Sequence, residues 1–89
     1  MNLDRDKIVA EVLDSVAETL NIPLAGIHID TMIRNDLEAD SMDIVTLMVL
    51  LDDKFDAEFN PDDIPAEDVS IGWIVDFISR KLDKQSATR

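Results

Sequence analysis

The chain has no cysteine, no tyrosine and a single histidine, His28, which narrows its chemistry before any fold is considered. A Ser-His-Asp arrangement would have to use His28, and that residue, between Ile27 and Ile29, reads as loop packing or surface rather than as a base. Thiolate nucleophiles and disulfides are excluded, and a metal site built on His or Cys has too few ligands. Acids abound, 20 against 8 bases, but paired carboxylates catalyse only where a cleft holds a substrate. Asp56, Glu58 and Asn60 imitate the start of a calcium loop, with Glu67 at its last liganding position. Pro61, however, stands where that loop needs the positive φ of glycine. No metal site is therefore expected, beyond weak divalent binding to an acidic surface. The group that remains is the hydroxyl of Ser41, which follows a helix-capping Asp40. A phosphate on that hydroxyl would meet free backbone N–H groups and the positive end of a helix dipole. Such a serine is also an ordinary choice for the first turn of a helix, and its position alone does not decide.

Several elements must position that serine. Ile8, Val9, Val12, Leu13, Val16, Ala17 and Leu20 recur at helical spacing and predict a helix over residues 8–20, capped by Asp4 or Asp6 and ended by Asn21-Ile22-Pro23. Residues 21–40 show no sustained period and read as a long loop pinned by Ile27, Ile29, Met32, Ile33 and Leu37. Ile27-His28-Ile29 alternates like a strand, with no second strand in sight to pair with it. A second helix is predicted from about Ser41 to Phe55, with Asp40 as N-cap and Asp43 completing a capping-box-like pair. A short helical piece is expected around Asp62–Ile64. A last helix is expected over Ile71–Leu82 with Ser70 as its cap, followed by a frayed tail from about residue 84. The expected fold is all-α. It is a single domain over residues 1–89, a small bundle of three main helices plus one short helix, with a long loop between the first two.

The net charge of −12 is concentrated. Between Asp36 and Asp68 stand twelve acids and one base, Lys54, a net of −11 in the middle third of the chain. This argues against binding nucleic acid, whose phosphates need Lys and Arg. It fits either a solvated face or a docking surface for basic partners. The second helix also has more apolar residues than one stripe requires. Ile44, Leu47, Met48, Leu51 and Phe55 form the stripe; Met42, Val45 and Val49 form a second set beside it. Either the helix is buried on two sides, or it exposes an apolar strip rimmed by acids, as partner interfaces commonly do. The strip is the preferred reading, because the same helix carries dense charge. No apolar run is long enough to span a membrane. The N-terminus has neither a signal peptide's apolar run nor a transit peptide's bias. A cytoplasmic, monomeric protein is expected.

The run Asp36-Leu37-Glu38-Ala39-Asp40-Ser41-Met42-Asp43, followed by Val45, Leu47, Leu51, Phe55-Asp56 and Glu58, resembles the acyl carrier proteins. Their attachment motif is typically Asp-Leu-Gly-(Ala/Ile/Val)-Asp-Ser-Leu-Asp. Ile29, Thr31 and Met32 are similar to the loop before that motif, and Asp76-Phe77-Ile78 to the family's last helix, so the similarity covers nearly the whole chain. It implies a carrier of acyl groups for fatty acid, lipid or polyketide synthesis, and not an enzyme. A 4′-phosphopantetheine arm would be attached covalently to Ser41, beside Asp40, by a phosphopantetheinyl transferase. The thiol of the arm would hold the cargo, which accounts for a carrier without cysteine. The resemblance further implies that Met42, Asp43, Val45, Thr46, Val49, Asp52 and Asp53 meet acyl-loading and acyl-processing enzymes that have basic docking patches. It implies an acyl pocket among Leu47, Met48, Leu51 and Phe55, closed by Ile74, Val75 and Ile78.

The departures from the family pattern matter too. Glu38 replaces the motif glycine and puts any special backbone conformation there in question. Met42 replaces leucine. Thr46 stands where fatty-acid carriers usually place Glu, which points to a different set of partners, and Trp73 is bulky for a position near the acyl space, unless it serves packing. An aminoacyl or peptidyl carrier, and a carrier-like interaction module without a prosthetic group, are the alternatives.

Overall fold

A computed structural model of the chain describes residues 5–56, 58–65 and 67–87. Three α-helices carry the fold: α1 (Arg5–Leu20), α2 (Ser41–Phe55) and α3 (Ile71–Ala87). Short 3-10 turns at Leu24–Gly26 and Pro61–Asp63 interrupt the two connections. No strand is present among the described residues. The class is all-α, as the periodicity predicts.

The helix bounds follow local chemistry. α1 starts earlier than its apolar pattern, at Arg5, so Asp6 lies inside its first turn, while Asp4 falls outside the described residues. It ends where Asn21 takes a left-handed conformation, φ 56°, and Ile22 N–H reaches back to the Ala17 carbonyl at 3.1 Å; this closes the last turn. α2 has the expected bounds and ends likewise on a left-handed residue, Asp56. The Ser70 hydroxyl caps α3 by accepting the Trp73 N–H at 3.1 Å. α3 then continues past Leu82 to Ala87, through residues that read as tail; residues 88–89 lie outside the described residues.

Each helix turns one stripe inward. Ile8, Val12 and Val16 of α1, Ile44, Leu47, Met48, Leu51 and Phe55 of α2, and Ile71, Ile74, Val75 and Ile78 of α3 form one buried cluster. Each such side chain contributes about 1.5–3 kcal/mol on burial. A row of aromatics runs along one side: Phe55 lies 6.4 Å from Phe59, Phe59 5.9 Å from Phe77, and Trp73 stacks on Phe77 at 5.5 Å. Trp73 is half-buried against the core and serves packing.

The long loop is tied down more by polar groups than its sequence suggests. Ile27 and Ile33 are buried anchors, but Ile29 is exposed, contrary to expectation. The alternating stretch Ile27-His28-Ile29 forms no strand pair, but the residues that follow it are tied to the entry of α3. Met32 bridges Ser70, Ile33 N–H donates to the Val69 carbonyl at 2.9 Å, and Gly72 N–H donates to the Ile29 carbonyl at 2.8 Å. A Cβ on Gly72 would lie 3.0 Å from Ile29 Cγ2 and 3.3 Å from its carbonyl oxygen, so glycine permits this approach.

Arg34 completes the tie with a strap. Its guanidinium donates to the carbonyls of Pro65 (3.1 Å) and Glu67 (2.7 Å). The Asp68 carboxylate accepts the N–H groups of Arg34 (2.7 Å), Asn35 (2.7 Å) and Val69 (2.9 Å). Desolvation pushes the Asp68 carboxyl upward, but these three donors and the Arg34 charge outweigh it and hold it below its ordinary value.

Candidate functional site

The strapped loop ends at the tip of α2. Asp40 is extended (φ −103°, ψ −175°) and its carboxylate accepts the Asp43 N–H at 2.9 Å, while the Asp43 carboxylate accepts the Asp40 N–H at 3.1 Å. This reciprocal box fixes the helix start and leaves the first-turn N–H groups of Ser41 and Met42 without an intrahelical partner. Ser41 is the first residue of α2 and is exposed. Three serines precede α3: Ser15, Ser41 and Ser70. Ser15 is fully buried and Ser70 is engaged as the α3 cap, so Ser41 alone presents a free, solvent-facing hydroxyl.

Just upstream, Glu38 adopts φ 59°. The glycine-like conformation is therefore kept although the residue is not glycine, and the doubt raised by the substitution falls away. The turn is held by Glu38 N–H to the Arg34 carbonyl (3.0 Å) and Ala39 N–H to the Ile33 carbonyl (3.1 Å). The Asp36 carboxylate accepts the Met32 N–H at 2.8 Å.

Met42, Val45 and Val49 are 76%, 46% and 63% exposed. Of the two readings of the second apolar set, burial on two sides is excluded and the exposed strip stands. Thr46 and Asp53 are exposed beside it, and Asp43 and Asp52 are half-buried. Lys54, the one base of the acidic stretch, turns to α1, where it meets Glu11 at 3.5 Å and Asp14 at 4.0 Å. Asp52 and Asp53 form no ion pair among the described residues. The strip is thus rimmed by uncompensated negative charge.

The residues expected to line an acyl pocket, Leu47, Met48, Leu51, Phe55, Ile74, Val75 and Ile78, are all buried in the closed core. A cleft lies elsewhere among the described residues, between α1, the loop and α2. Val16, Thr19, Leu20, Ile33, Ala39, Asp43, Ile44 and Leu47 line a cleft of about 210 Å³, its open mouth included. Only Leu47 belongs to both sets. Ala39 and Asp43 bracket Ser41 in sequence, so the cleft opens at the α2 tip. Reading the sequence for helix stripes missed this space; the available signal was Thr19, a polar residue set among the apolar positions of α1.

A family model described as "Phosphopantetheine attachment site" matches residues 10–78. The chain belongs to the acyl carrier protein family. It is 33% identical over 79 residues to the acyl carrier protein of Prochlorococcus marinus, covering 89% of this chain and 98% of that one. It is 34% identical over 79 residues to that of Porphyromonas gingivalis, covering 85% and 96%. With the mitochondrial acyl carrier protein of Saccharomyces cerevisiae it shares 35% identity over 86 residues, covering 92% and 68%. The protein is a carrier and not an enzyme, and its prosthetic group is 4′-phosphopantetheine. Its partners are the transferase that installs the group and the acyl-processing enzymes that use it. The local structure suits that group: an exposed hydroxyl with two free N–H donors beside it at the head of α2. When attached, the arm supplies a thiol that holds the acyl group as a thioester, a role no side chain of this cysteine-free chain can fill. No helix among the described residues is long and apolar enough to cross a membrane.

Proposed function

We propose that the hydroxyl of Ser41 is the attachment point, with Asp40 fixing its place at the head of α2. One observation carries this: within the matched region, Ser41 is the serine whose hydroxyl is exposed and uncommitted. The Met42, Val45 and Val49 strip, with Asp43, Thr46, Asp52 and Asp53 around it, serves as the face that acyl-loading and acyl-processing enzymes grip through basic patches. Acyl chains enter at the cleft beside Ala39 and Asp43. Longer chains part the core behind it, where Leu47, Met48, Leu51, Phe55, Ile74, Val75 and Ile78 meet. Lack of cysteine suits a reducing cytoplasm, in which the carrier acts as a monomer and single domain. Incubation with coenzyme A and a broad-specificity phosphopantetheinyl transferase tests the attachment. Intact mass should rise by one phosphopantetheine, and Ser41→Ala should abolish the gain. Modification that persists in Ser41→Ala would refute the assignment.

A further inference from the structure

Two buried side-chain polar atoms lack a hydrogen-bond partner among the described residues: Ser15 Oγ and Thr19 Oγ1. They lie one turn apart on the same face of α1, and Thr19 lines the cleft that opens at the α2 tip. An unpaired buried hydroxyl is a standing cost to the fold. Ser15 does not reach the cleft, but retaining such a hydroxyl on Thr19, a residue of the cleft lining, calls for a guest that pairs with it.

Water is a poor candidate. A buried water typically makes about three hydrogen bonds. Besides Thr19, the lining is Val16, Leu20, Ile33, Ala39, Ile44 and Leu47, with Asp43, one of whose carboxylate oxygens already accepts the Asp40 N–H, so a water would find at most two side-chain partners. The cleft thus has an aliphatic wall, with one uncommitted hydroxyl, Thr19 Oγ1, buried behind it. Its complement is an aliphatic chain with one hydrogen-bonding oxygen. A helical threonine occupies two χ1 wells that exchange its methyl and hydroxyl, so Oγ1 can turn to the cleft without backbone movement. A guest hydroxyl both accepts and donates, and so leaves neither partner unpaired.

We propose that Thr19 is a specificity-determining residue, and that the cleft prefers an acyl chain bearing a hydroxyl near its thioester over the plain saturated chain of equal length. This rests on the reading that cargo enters at this cleft, and the test separates the two. Holo protein is loaded with octanoyl or 3-hydroxyoctanoyl groups, and cleavage of each thioester by hydroxylamine is timed against the same group on free pantetheine. The protection of the hydroxyacyl form should exceed that of the plain form by about fivefold, the worth of one net hydrogen bond. Thr19→Val, which keeps shape and removes the hydroxyl, should erase the difference, and Thr19→Ser should restore it. Equal protection of both chains in the parent protein, or a preference that Thr19→Val leaves intact, overturns the role of Thr19 while the cleft reading stands. No protection of either chain overturns both.

Discussion

The outer face of α2 holds Met42, Val45 and Val49 in solvent, while α1 holds the hydroxyl oxygens of buried Ser15 and half-buried Thr19 out of it. Each breaks the ordinary sorting of apolar inside and polar outside, in opposite directions, and each leaves a surface that lacks a partner within the chain. On the functions proposed above, the partner outside is another protein and the partner inside is cargo. A carrier must meet both, and the fold places them on different helices, α2 and α1. The rest of α2 obeys the rule: Ile44, Leu47, Met48, Leu51 and Phe55 are buried. The comparison therefore predicts that substitutions on the obedient face damage the fold, and those on the disobedient faces damage function or relieve the fold.

The largest effect is expected at Leu51, which has no exposed surface. Leu51→Ala should cost about 2–5 kcal/mol, a large share of the roughly 5–15 kcal/mol a domain has. Denaturant unfolding measures it. A loss like that of an exposed valine would mean that the inner face is not packed as described.

Asp68 comes next. Its pKa lies below the ordinary Asp value of about 3.9, because three backbone N–H groups and Arg34 outweigh its desolvation. A depressed folded pKa contributes stability that is fully present above the unfolded pKa and is lost as pH falls through the folded one. Asp68→Asn should be less stable than the parent at pH 7, and the gap should close below about pH 4. Thermal unfolding across that range tests whether the loop is held by this strap. A gap independent of pH would remove the carboxylate from the account.

On the outer face, Val49→Asp should leave stability within about 0.5 kcal/mol and lower kcat/KM of a partner enzyme by roughly tenfold, as loss of a central interface contact does. Raising salt should slow association of the parent as the acidic rim is screened. A Val49→Asp variant that unfolds readily but is handled normally would reverse the roles assigned to the two faces. On the inner face, Ser15→Ala should raise stability by about 1 kcal/mol, since it removes an unpaired buried hydroxyl and adds helix propensity. A loss would show that Ser15 is paired after all.

How much of this was legible in the sequence depends on range. The α2 bounds and its capping box were legible because Asp40, Asp43 and the apolar period are local signals. The exposed strip was legible as a surplus, with three apolar residues more than one stripe could bury. The pairing of residues 29–33 with 69–72 was not, because a single bridge has no period to detect. The cleft was not, because it depends on how the loop leaves a gap against α1, a tertiary outcome. Ser15 and Thr19 were visible as polar residues in an apolar pattern, but a helix wheel cannot show that they lack partners.

The smallest effect is expected at Glu38, a third breach, this time in the backbone. Its φ of 59° costs a non-glycine residue about 1–2 kcal/mol. Glycine would relieve that strain, but would lose about 0.5–1 kcal/mol more in chain entropy on folding. The two terms oppose each other, and the net gain for Glu38→Gly is about 0.5 kcal/mol, or some 2–4 °C in Tm for a domain of this size. Because the turn precedes Ser41 and is fixed by the Arg34 and Ile33 carbonyls, the substitution should leave the rate of phosphopantetheine transfer unchanged. If Tm rises and transfer also slows, the carboxylate itself is read by the transferase, and the acidic docking surface extends upstream of the serine. If Tm falls, the left-handed turn is not strained in this chain, and Glu38 sits there at no cost.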